Sequence, residues 1–373
     1  MAGLPPWPVA CQHRTGKELE KVDARYFLSE QLDIPRHNAE VRALWESYAE
    51  RRHARIPVLI VGSIRNLISN PAVNRTGYGF PAFFTSAKAQ IACQLAFQDY
   101  IRHHWLCDHE MGIPENGWQL TLDFQNSWDQ AWFGCPIRFF GETDVPDTVE
   151  ILKDEPKLLN TWEDADPFWG RGDFMHKVMD LLGEMERICQ AGLEYRGRPV
   201  LPPRRLPGHN TDGPFSVAIK LRGTVETMLD MLEYPERYHR LMDYVTRNQI
   251  ARMKALREWA WERDGVPDDQ RRLGEKLWFA DDSIAMLSKD QYQEFVMPYH
   301  DRIFKTFDDG SGCAIHLCGN ASHLFPLLVK RYHAAAIDTG FPVDHGALRR
   351  AIGPDVQING GPTIMLVKDG TPR

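Results

Sequence analysis

Residues 312–320 read Gly-Cys-Ala-Ile-His-Leu-Cys-Gly-Asn, and the structural prediction starts from them. Cys313 to Leu317 is a short apolar run, which is typical of a buried β-strand. Because side chains alternate along a strand, His316 and Cys318 should share one face. An imidazole and a thiol two residues apart, at the carboxyl end of a strand, form half of a zinc site. The alternative, a buried histidine beside an inert thiol, stays open at this point.

On both sides of this stretch, apolar runs of strand length alternate with helical patterns. This alternation predicts a parallel sheet with right-handed crossovers. The predicted strands are residues 56–61, 118–124, 215–221, 277–280, 313–318, 334–337 and 356–358. The predicted helices include one that begins at Thr224, one that begins at Pro235 and one with a Ser288–Gln291 capping box.

Each of the seven predicted strands is followed by polar side chains. Any one of them could be a turn or capping residue, but together they describe the catalytic mouth of a TIM (β/α)8-type barrel. The residues are Arg65, Asn66, Asp123, Arg222, Asp281, Asp282, His316, Cys318, Asp338 and Asn359. We therefore predict an α/β barrel whose strand ends converge on one pocket.

The strand count predicts a barrel that lacks its eighth strand. Only fifteen residues follow Ile358, whereas a further helix and strand would need roughly 25 more. The predicted domains are a helical lead-in at residues 1–55 and a barrel at 56–373, apparently truncated at its C-terminus. The first and seventh strands, 56–61 and 356–358, would then each lack a neighbour.

Composition excludes several classes of protein. The net charge is −7 and there is no dense run of Lys or Arg, which argues against a nucleic-acid partner. No apolar run approaches the roughly 20 residues that span a bilayer. The seven cysteines show no paired framework, which favours reduced thiols and predicts a cytoplasmic protein. Homo-oligomers are compatible with these features.

Several segments over residues 205–373 together resemble the uroporphyrinogen decarboxylase superfamily, which includes cobalamin-dependent methyltransferases. Their order and spacing carry the resemblance rather than any single motif. The segments are Gly213-Pro214-Phe215 through Leu221-Arg222-Gly223, Tyr234-Pro235-Glu236, Phe279-Ala280-Asp281-Asp282, Leu287-Ser288 through Pro298-Tyr299, Ile315-His316-Leu317-Cys318-Gly319-Asn320 and Ile358-Asn359-Gly360-Gly361.

The methyltransferase branch of this superfamily resembles the chain in its His-x-Cys strand. The resemblance implies zinc bound by His316 and Cys318, with Asp281 or Asp282 orienting the histidine or binding substrate. In that branch the third ligand, a cysteine, comes from the eighth strand, and here no cysteine follows Cys318. Zinc would lower the pKa of a bound thiol so that its thiolate attacks a methyl group.

The decarboxylase branch carries an Arg-Gln-Ala-Gly-Arg motif after its first strand. Residues 62–66 read Gly-Ser-Ile-Arg-Asn instead, so a single arginine, Arg65, stands where two are expected. An aspartate that meets the pyrrole N–H groups in that branch corresponds by position to Asp123. A tetrapyrrole with many carboxylates needs several cationic partners, which weakens this branch as a functional assignment.

The leading hypothesis is zinc-dependent methyl transfer between a corrinoid carrier and a thiol. It implies a small-molecule substrate, a corrinoid protein as partner, and no membrane. The alternatives are a decarboxylase acting on a uroporphyrinogen-like tetrapyrrole, and a barrel that binds a ligand without turnover. Candidate roles are catalytic for Asp281, Asp282 and Asp123; metal-binding for His316 and Cys318; and substrate-binding for Arg65, Asn66, Arg222, Asp338 and Asn359.

Overall fold

The structure is a computed structural model that describes residues 32–208, 210–275, 277–310 and 312–362. Most of the predicted lead-in, residues 1–31, lies outside the described part. The helices are α1 Ile34–Ala49, α2 Arg65–Ile68, α3 Phe80–Thr85, α4 Ala87–His104, α5 Trp128–Trp132, α6 Phe174–Gln190, α7 Pro214–Arg222, α8 Thr224–Glu233, α9 Pro235–Asp264, α10 Lys289–Gln291, α11 Met297–Phe307, α12 Phe325–Tyr332 and α13 His345–Ile352. A π-helical turn, Tyr292–Val296, joins α10 to α11.

The strands form three small sheets. They are β1 Trp118–Gln119, β2 Ile137–Arg138, β3 Asp147–Thr148, β4 Glu194–Tyr195, β5 Arg198–Leu201, β6 Thr211–Asp212, β7 Leu277–Ala280, β8 Cys313–Leu317, β9 Ala334–Thr339 and β10 Gln357–Asn359. The largest sheet has the order β10-β9-β8-β7-β6, and all of its strand pairs are parallel. The predicted α/β fold with a parallel sheet is confirmed, and in the described residues this sheet is open, with β10 and β6 at its edges.

The central strand β8 alternates as its sequence predicts. Cys313, Ile315 and Leu317 are buried, whereas Ala314 and His316 lie on the other face and are less buried. On the buried side Phe279 packs against Phe304 of α11, with ring centroids 5.0 Å apart. Ser288 begins α10 with the capping box that the sequence predicts. The helices therefore cover one face of the sheet and leave the His316 face for a site.

The predicted strand at 215–221 is wrong, because these residues form helix α7. Pro214 occupies the first turn, where its missing N–H costs nothing, and Gly223 ends the helix at φ +99°, a value that favours glycine. Phe215, Val217, Ala218, Ile219 and Leu221 are all buried. A helix buried on nearly all sides has no polar face, so its apolar run reads like a buried strand. The actual strand is β6, which lies just before it.

The predicted strand at 56–61 is also absent, although the run is apolar. Ile56, Val58, Leu59, Ile60 and Val61 are exposed, with Val61 82% accessible. The backbone of Val58 pairs instead with Asp108, whose carboxylate also binds Arg55. The predicted strand at 118–124 shrinks to β1, which pairs with β5 outside the main sheet. Both strand predictions were wrong because an apolar run does not specify which segment it pairs with.

The chain divides into two compact units. One comprises residues 32–78, 91–120 and 188–201 of the described part and contains α1, α2 and the β1-β5-β4 sheet. The other comprises 79–90, 121–187 and the described residues from 202 onward, and contains the five-stranded sheet. The predicted boundary between residues 55 and 56 stays a prediction. Across the described helices, none is long and apolar enough to cross a membrane.

Candidate active site at the carboxyl edge of the sheet

One row of paired residues crosses the five-stranded sheet at its carboxyl edge. Asp212 pairs with Ala280, Ala280 with His316, His316 with Asp338, and Asp338 with Asn359. Paired residues of neighbouring parallel strands present their side chains on the same face. The row therefore places Asp212, His316, Asp338 and Asn359 on one face, with the small side chain of Ala280 between the first two.

Three potential metal ligands meet beside this row. Ligand atoms of Asp282, His316 and Cys318 all lie within 4.8 Å of one another. Nε2 of His316 lies 2.9 Å from Sγ of Cys318 and 3.6 Å from Oδ1 of Asp282. The backbone N–H of Cys318 donates to the same Oδ1 at 2.7 Å, which fixes the Asp282 carboxylate next to the turn after β8.

The imidazole of His316 is held on two further sides. Its Nδ1 donates to Oδ2 of Asp338 at 2.8 Å, and its ring stacks on the Trp278 ring with centroids 5.5 Å apart. Burial lowers the pKa of His316, but the hydrogen bonds to Asp338 and Cys318 and the nearby Asp282 charge raise it to about 10. The Nδ1 contact leaves Nε2 directed at Cys318, which is the arrangement of a ligand histidine backed by a carboxylate.

Asp281 does not join this cluster, although it adjoins Asp282 in sequence. Its carboxylate is fully buried and accepts hydrogen bonds from the backbone N–H groups of Phe215 and Ser216 at 3.1 and 2.8 Å. It also accepts from Oγ of Ser216 at 2.7 Å and lies 2.8 Å from Nε2 of the buried His300. Asp281 thus anchors the first turn of α7, and its predicted catalytic role has no support from these contacts.

Arg222 lies at the C-terminal end of α7 instead of at the end of a strand. Its guanidinium is buried against Asp230, with Nε 2.9 Å from Oδ2, and it donates to the backbone carbonyl of Leu152 at 3.0 Å. Arg237 binds the same carboxylate of Asp230. The fold therefore uses Arg222 internally, which corrects the placement that the predicted strand at 215–221 gave it.

Two other predicted residues of this unit lie close to polar partners of their own. Oδ1 of Asn359 accepts from Nε2 of Gln357 at 2.8 Å, at the edge of the row. The carboxylate of Asp123 accepts from the backbone N–H of Gln125 at 2.8 Å and from its side-chain amide. Gln125 has a left-handed φ of +51° and lines a cavity with Asp212 and Trp278. Asp123 thus contacts a residue that lines this cavity.

Arg65 and Asn66 belong to the other compact unit. Arg65 begins the short helix α2, and Oδ1 of Asn66 accepts from the backbone N–H of Ser63 at 2.8 Å. Their predicted substrate contacts stay a prediction.

Asp212 is the site residue that sequence reasoning missed. The signal for it was Gly213-Pro214, because proline in a first helical turn places the strand end just before it. Asp212 lines an open cavity of about 270 Å³ together with Trp128, Asp129 and Trp278. Burial and the neighbouring carboxylates of Asp129, Asp282 and Asp281 raise its pKa well above the ordinary value. Asp212 is therefore the residue of the row that lines this cavity, next to the acidic side chain of Asp129.

Comparison with known proteins finds relatives of this chain. Residues 209–369 match the family model described as uroporphyrinogen decarboxylase (URO-D). A methylated-thiol–coenzyme M methyltransferase from Methanosarcina mazei is 30% identical over 261 residues, which cover 67% of this chain and 60% of that protein. The chain therefore spans about three fifths of the length of this curated relative.

A solved structure, a methyltransferase from Methanosarcina mazei, has a similar fold. The TM-score is 0.52 at 13% identity, and the match covers 86% of this chain and 82% of that one. At this identity the match speaks for the fold alone. Together the sequence matches confirm the predicted resemblance: residues 209–369 of this chain carry the pattern of the uroporphyrinogen decarboxylase superfamily, with a methyltransferase among its relatives.

Proposed function

We propose that the chain is a zinc-dependent methyltransferase that moves a methyl group from a corrinoid carrier to a thiol. The observation that carries the proposal is the convergence of Asp282, His316 and Cys318 at the carboxyl edge of a parallel sheet. We also propose that this sheet is part of a (β/α)8-type barrel, whose strand ends are the usual place for such chemistry. A corrinoid protein would be the partner that presents the methyl group.

The donor set fits zinc. Thiolate sulfur, imidazole nitrogen and carboxylate oxygen are its ordinary ligands, and three protein ligands leave one position for a substrate. The Asp338 carboxylate behind His316 is the usual support of a ligand imidazole. Nε2 of His316 lies 2.9 Å from Sγ of Cys318, and both lie within 4.8 Å of the Asp282 carboxylate, so the three groups could hold one ion.

Each residue then has a definite task. Bound zinc would lower the pKa of the substrate thiol, so that the thiol is a thiolate at neutral pH. Asp338 holds the imidazole. His316 and Cys318 would have to lose their protons to bind the metal, so we expect metal binding to strengthen as pH rises. In the transfer the thiol loses its proton and its sulfur bonds to the methyl carbon. The electron pair of the broken bond stays on the carrier.

The relatives support this choice over the alternatives. The name of the curated relative states that it handles methylated thiols and coenzyme M, a statement about that protein which suggests a thiol acceptor here. Substrates with many carboxylates would meet the carboxylates of Asp282 and Asp338 at this edge, where like charges repel. The charge pattern therefore disfavours a tetrapyrrole decarboxylase.

Zinc binding and methyl transfer test the proposal together. We expect the purified chain to retain about one zinc per molecule, measured by mass spectrometry after dialysis. Cys318→Ser and His316→Ala should weaken zinc binding by at least roughly 100-fold, and Asp338→Asn by roughly 10- to 100-fold. With methylcobalamin and a small thiol, the same variants should lose the absorbance change that accompanies demethylation.

Cys313→Ser is the matched control. Cys313 lies on the same strand but on its buried face, with Sγ 3.6 Å from the carbonyl oxygen of Tyr332. This variant should keep its zinc and its activity. A protein that holds no zinc above background, or a Cys318→Ser variant that keeps full activity, would overturn the proposal; binding of zinc without turnover of any thiol would favour the non-catalytic alternative.

A further inference from the structure

Three arginines line a small cavity beside the amino edge of the five-stranded sheet. The cavity has a volume of about 20 Å³, which is room for about one water-sized group. The arginines are Arg205, Arg257 and Arg272, and Glu275 is the only acid among the described residues that line it. Glu275 lies two residues before β7, whereas His316 pairs with the last residue of β7 at the other edge. The cavity is therefore separate from the proposed metal site.

The guanidinium of Arg257 is buried without a counter-ion. The residue is 6% exposed, and it donates from Nη1 to the carbonyl oxygen of Glu275 at 3.0 Å and from Nη2 to Oδ1 of Asn210 at 3.1 Å. Both acceptors are neutral. Its Nε has no hydrogen-bond partner, and no carboxylate lies within ion-pair distance in the described part of the chain. Buried charges are normally paired, so this arginine leaves a positive charge for an anion to balance.

Arg205 lies near enough to Arg257 for the two positive charges to repel. Burial lowers the pKa of Arg257, and the charge of Arg205 lowers it further, while Glu275 and Asp309 act in the opposite direction and leave it at about 10. Arg257 therefore stays charged at neutral pH. Asp309 is not a lining residue of this cavity, and its carboxylate accepts from the backbone N–H of Gly274 at 3.0 Å. An anion bound beside both guanidinium groups would relieve their repulsion.

The other two arginines are exposed and also lack an acidic partner. Arg205 and Arg272 form no ion pair with any described residue, and Nη1 of Arg272 donates to the backbone carbonyl oxygens of Asp269 and Arg271 at 2.8 and 3.0 Å. The neighbouring Arg271 differs, since it pairs with the carboxylate of Glu258. The lining thus combines one buried and two exposed guanidinium groups that are not neutralised by ion pairs.

We propose that this cavity binds a phosphoryl group, supplied either as inorganic phosphate or at the end of a small phosphorylated metabolite. Three guanidinium groups against one carboxylate leave about two positive charges, which match the charge of about −1.5 to −2 on a phosphate monoester at neutral pH. Guanidinium forks bind phosphate oxygens in pairs. Because the cavity admits about one oxygen-sized group, the rest of the ligand would lie at its mouth. The inference goes beyond the proposed methyl transfer and does not depend on it.

Calorimetric titration at constant ionic strength tests the ligand class. The probes are inorganic phosphate, glycerol phosphate and acetate. We expect both phosphoryl probes to bind, and acetate to bind at least roughly 10-fold more weakly because it makes fewer hydrogen bonds to charged groups. Tighter binding of the ester would support a phosphorylated metabolite as the ligand, and equal or tighter binding of inorganic phosphate would support the free ion. Absence of binding by both phosphoryl probes, or equal binding of acetate, would overturn the proposal.

Single variants locate the binding. Arg205→Gln and Arg272→Gln change exposed side chains, and each should weaken phosphate binding roughly 10- to 100-fold. Glu275→Gln should strengthen it about 2- to 5-fold, because a repelling charge is removed. Arg204→Gln is the matched control: Arg204 is exposed and adjacent in sequence but does not line the cavity, so its loss should change affinity by less than about 2-fold. Unchanged affinity in Arg205→Gln and Arg272→Gln, or an equal loss in Arg204→Gln, would contradict the assignment.

Thermal unfolding gives a second readout that centres on the buried arginine. Phosphate bound only by the folded chain should raise the melting temperature with concentration. Phosphate also stabilises proteins in general by its exclusion from their surfaces, so the double variant Arg205→Gln with Arg272→Gln measures that background. Arg257→Met, if it folds, should show the same background alone. A rise as large in the double variant as in the unchanged chain would overturn the proposal, whether or not Arg257→Met folds.

Discussion

The predicted substrate-binding residue Arg222 instead forms an internal ion pair with the carboxylate of Asp230. It holds both Arg222 and Arg237 and is itself almost fully buried. Burial raises its pKa, but the hydrogen bonds and charges of Arg237 and Arg222 outweigh burial and leave the pKa below the ordinary value. The lowered pKa means that the ionised form is stabilised in the folded state, so the ion pairs of Asp230 with Arg222 and Arg237 contribute to stability.

The stability of the chain should therefore depend on Asp230 in acid. Because its folded pKa is depressed, its contribution is present above the ordinary carboxyl pKa of 3.8 and is lost as pH falls through the folded value. We expect Asp230→Asn to lower the free energy of unfolding by about 3 kcal/mol at pH 7, since two arginines lose their buried partner. Urea unfolding at pH 7 and pH 3 should show the difference shrink in acid; an equal difference at both pH values would contradict the assignment.

At the scale of elements, Asp281 connects the strand β7 to the start of helix α7. Its carboxylate accepts from two backbone N–H groups of the first helical turn and contacts His300 of α11. We expect Asp281→Asn to destabilise the chain by about 2–4 kcal/mol, because a buried amide cannot accept from all of these donors. The melting temperature measures this, with Asp268→Asn, a change at an exposed aspartate, as control.

Zinc content distinguishes an anchoring role of Asp281 from a ligand role. Asp281 does not face the His316 cluster, so the folded Asp281→Asn variant should bind zinc as the unchanged chain does, whereas Asp282→Asn should lose affinity. If both variants lost zinc equally at a temperature where both are folded, Asp281 would belong to the metal site.

The sequence predicted the secondary-structure elements that local patterns determine. The predictions were wrong where the element depends on which segment pairs with which. Strand β8, with alternating burial, and the capped helix at Ser288 follow from short-range rules. Helix α7 and the run at 56–61 do not, because an apolar segment has the same composition in a buried helix, a buried strand and an unpaired segment. Asp212 was hidden by the same error, since its strand has only two residues.

For the whole molecule, the exposed apolar run at 56–61 predicts self-association. Its side chains of Ile56, Val58, Ile60 and Val61 are all more than half accessible. Contiguous exposed apolar surface of this kind favours association. We expect sedimentation velocity to show concentration-dependent oligomers, and the double change Val58→Lys with Val61→Glu to shift the distribution toward monomer. The control is Ile113→Lys, a change at an exposed isoleucine outside this run; a monomeric unchanged chain would refute the prediction.

The row of paired residues at the carboxyl edge also determines at what stage of folding the site can form. His316 and Asp338 are 22 residues apart in the chain, and Cys318 and Asp282 are 36 residues apart. Parallel pairings over such separations form slowly, because loop closure costs entropy before any contact repays it. A nascent chain that has emerged past Asp282 but not yet as far as β8 has no partner for Asp282. A metal ion at the proposed site would therefore bind late, and by binding only the finished sheet it would shift the folding equilibrium by mass action toward the native state.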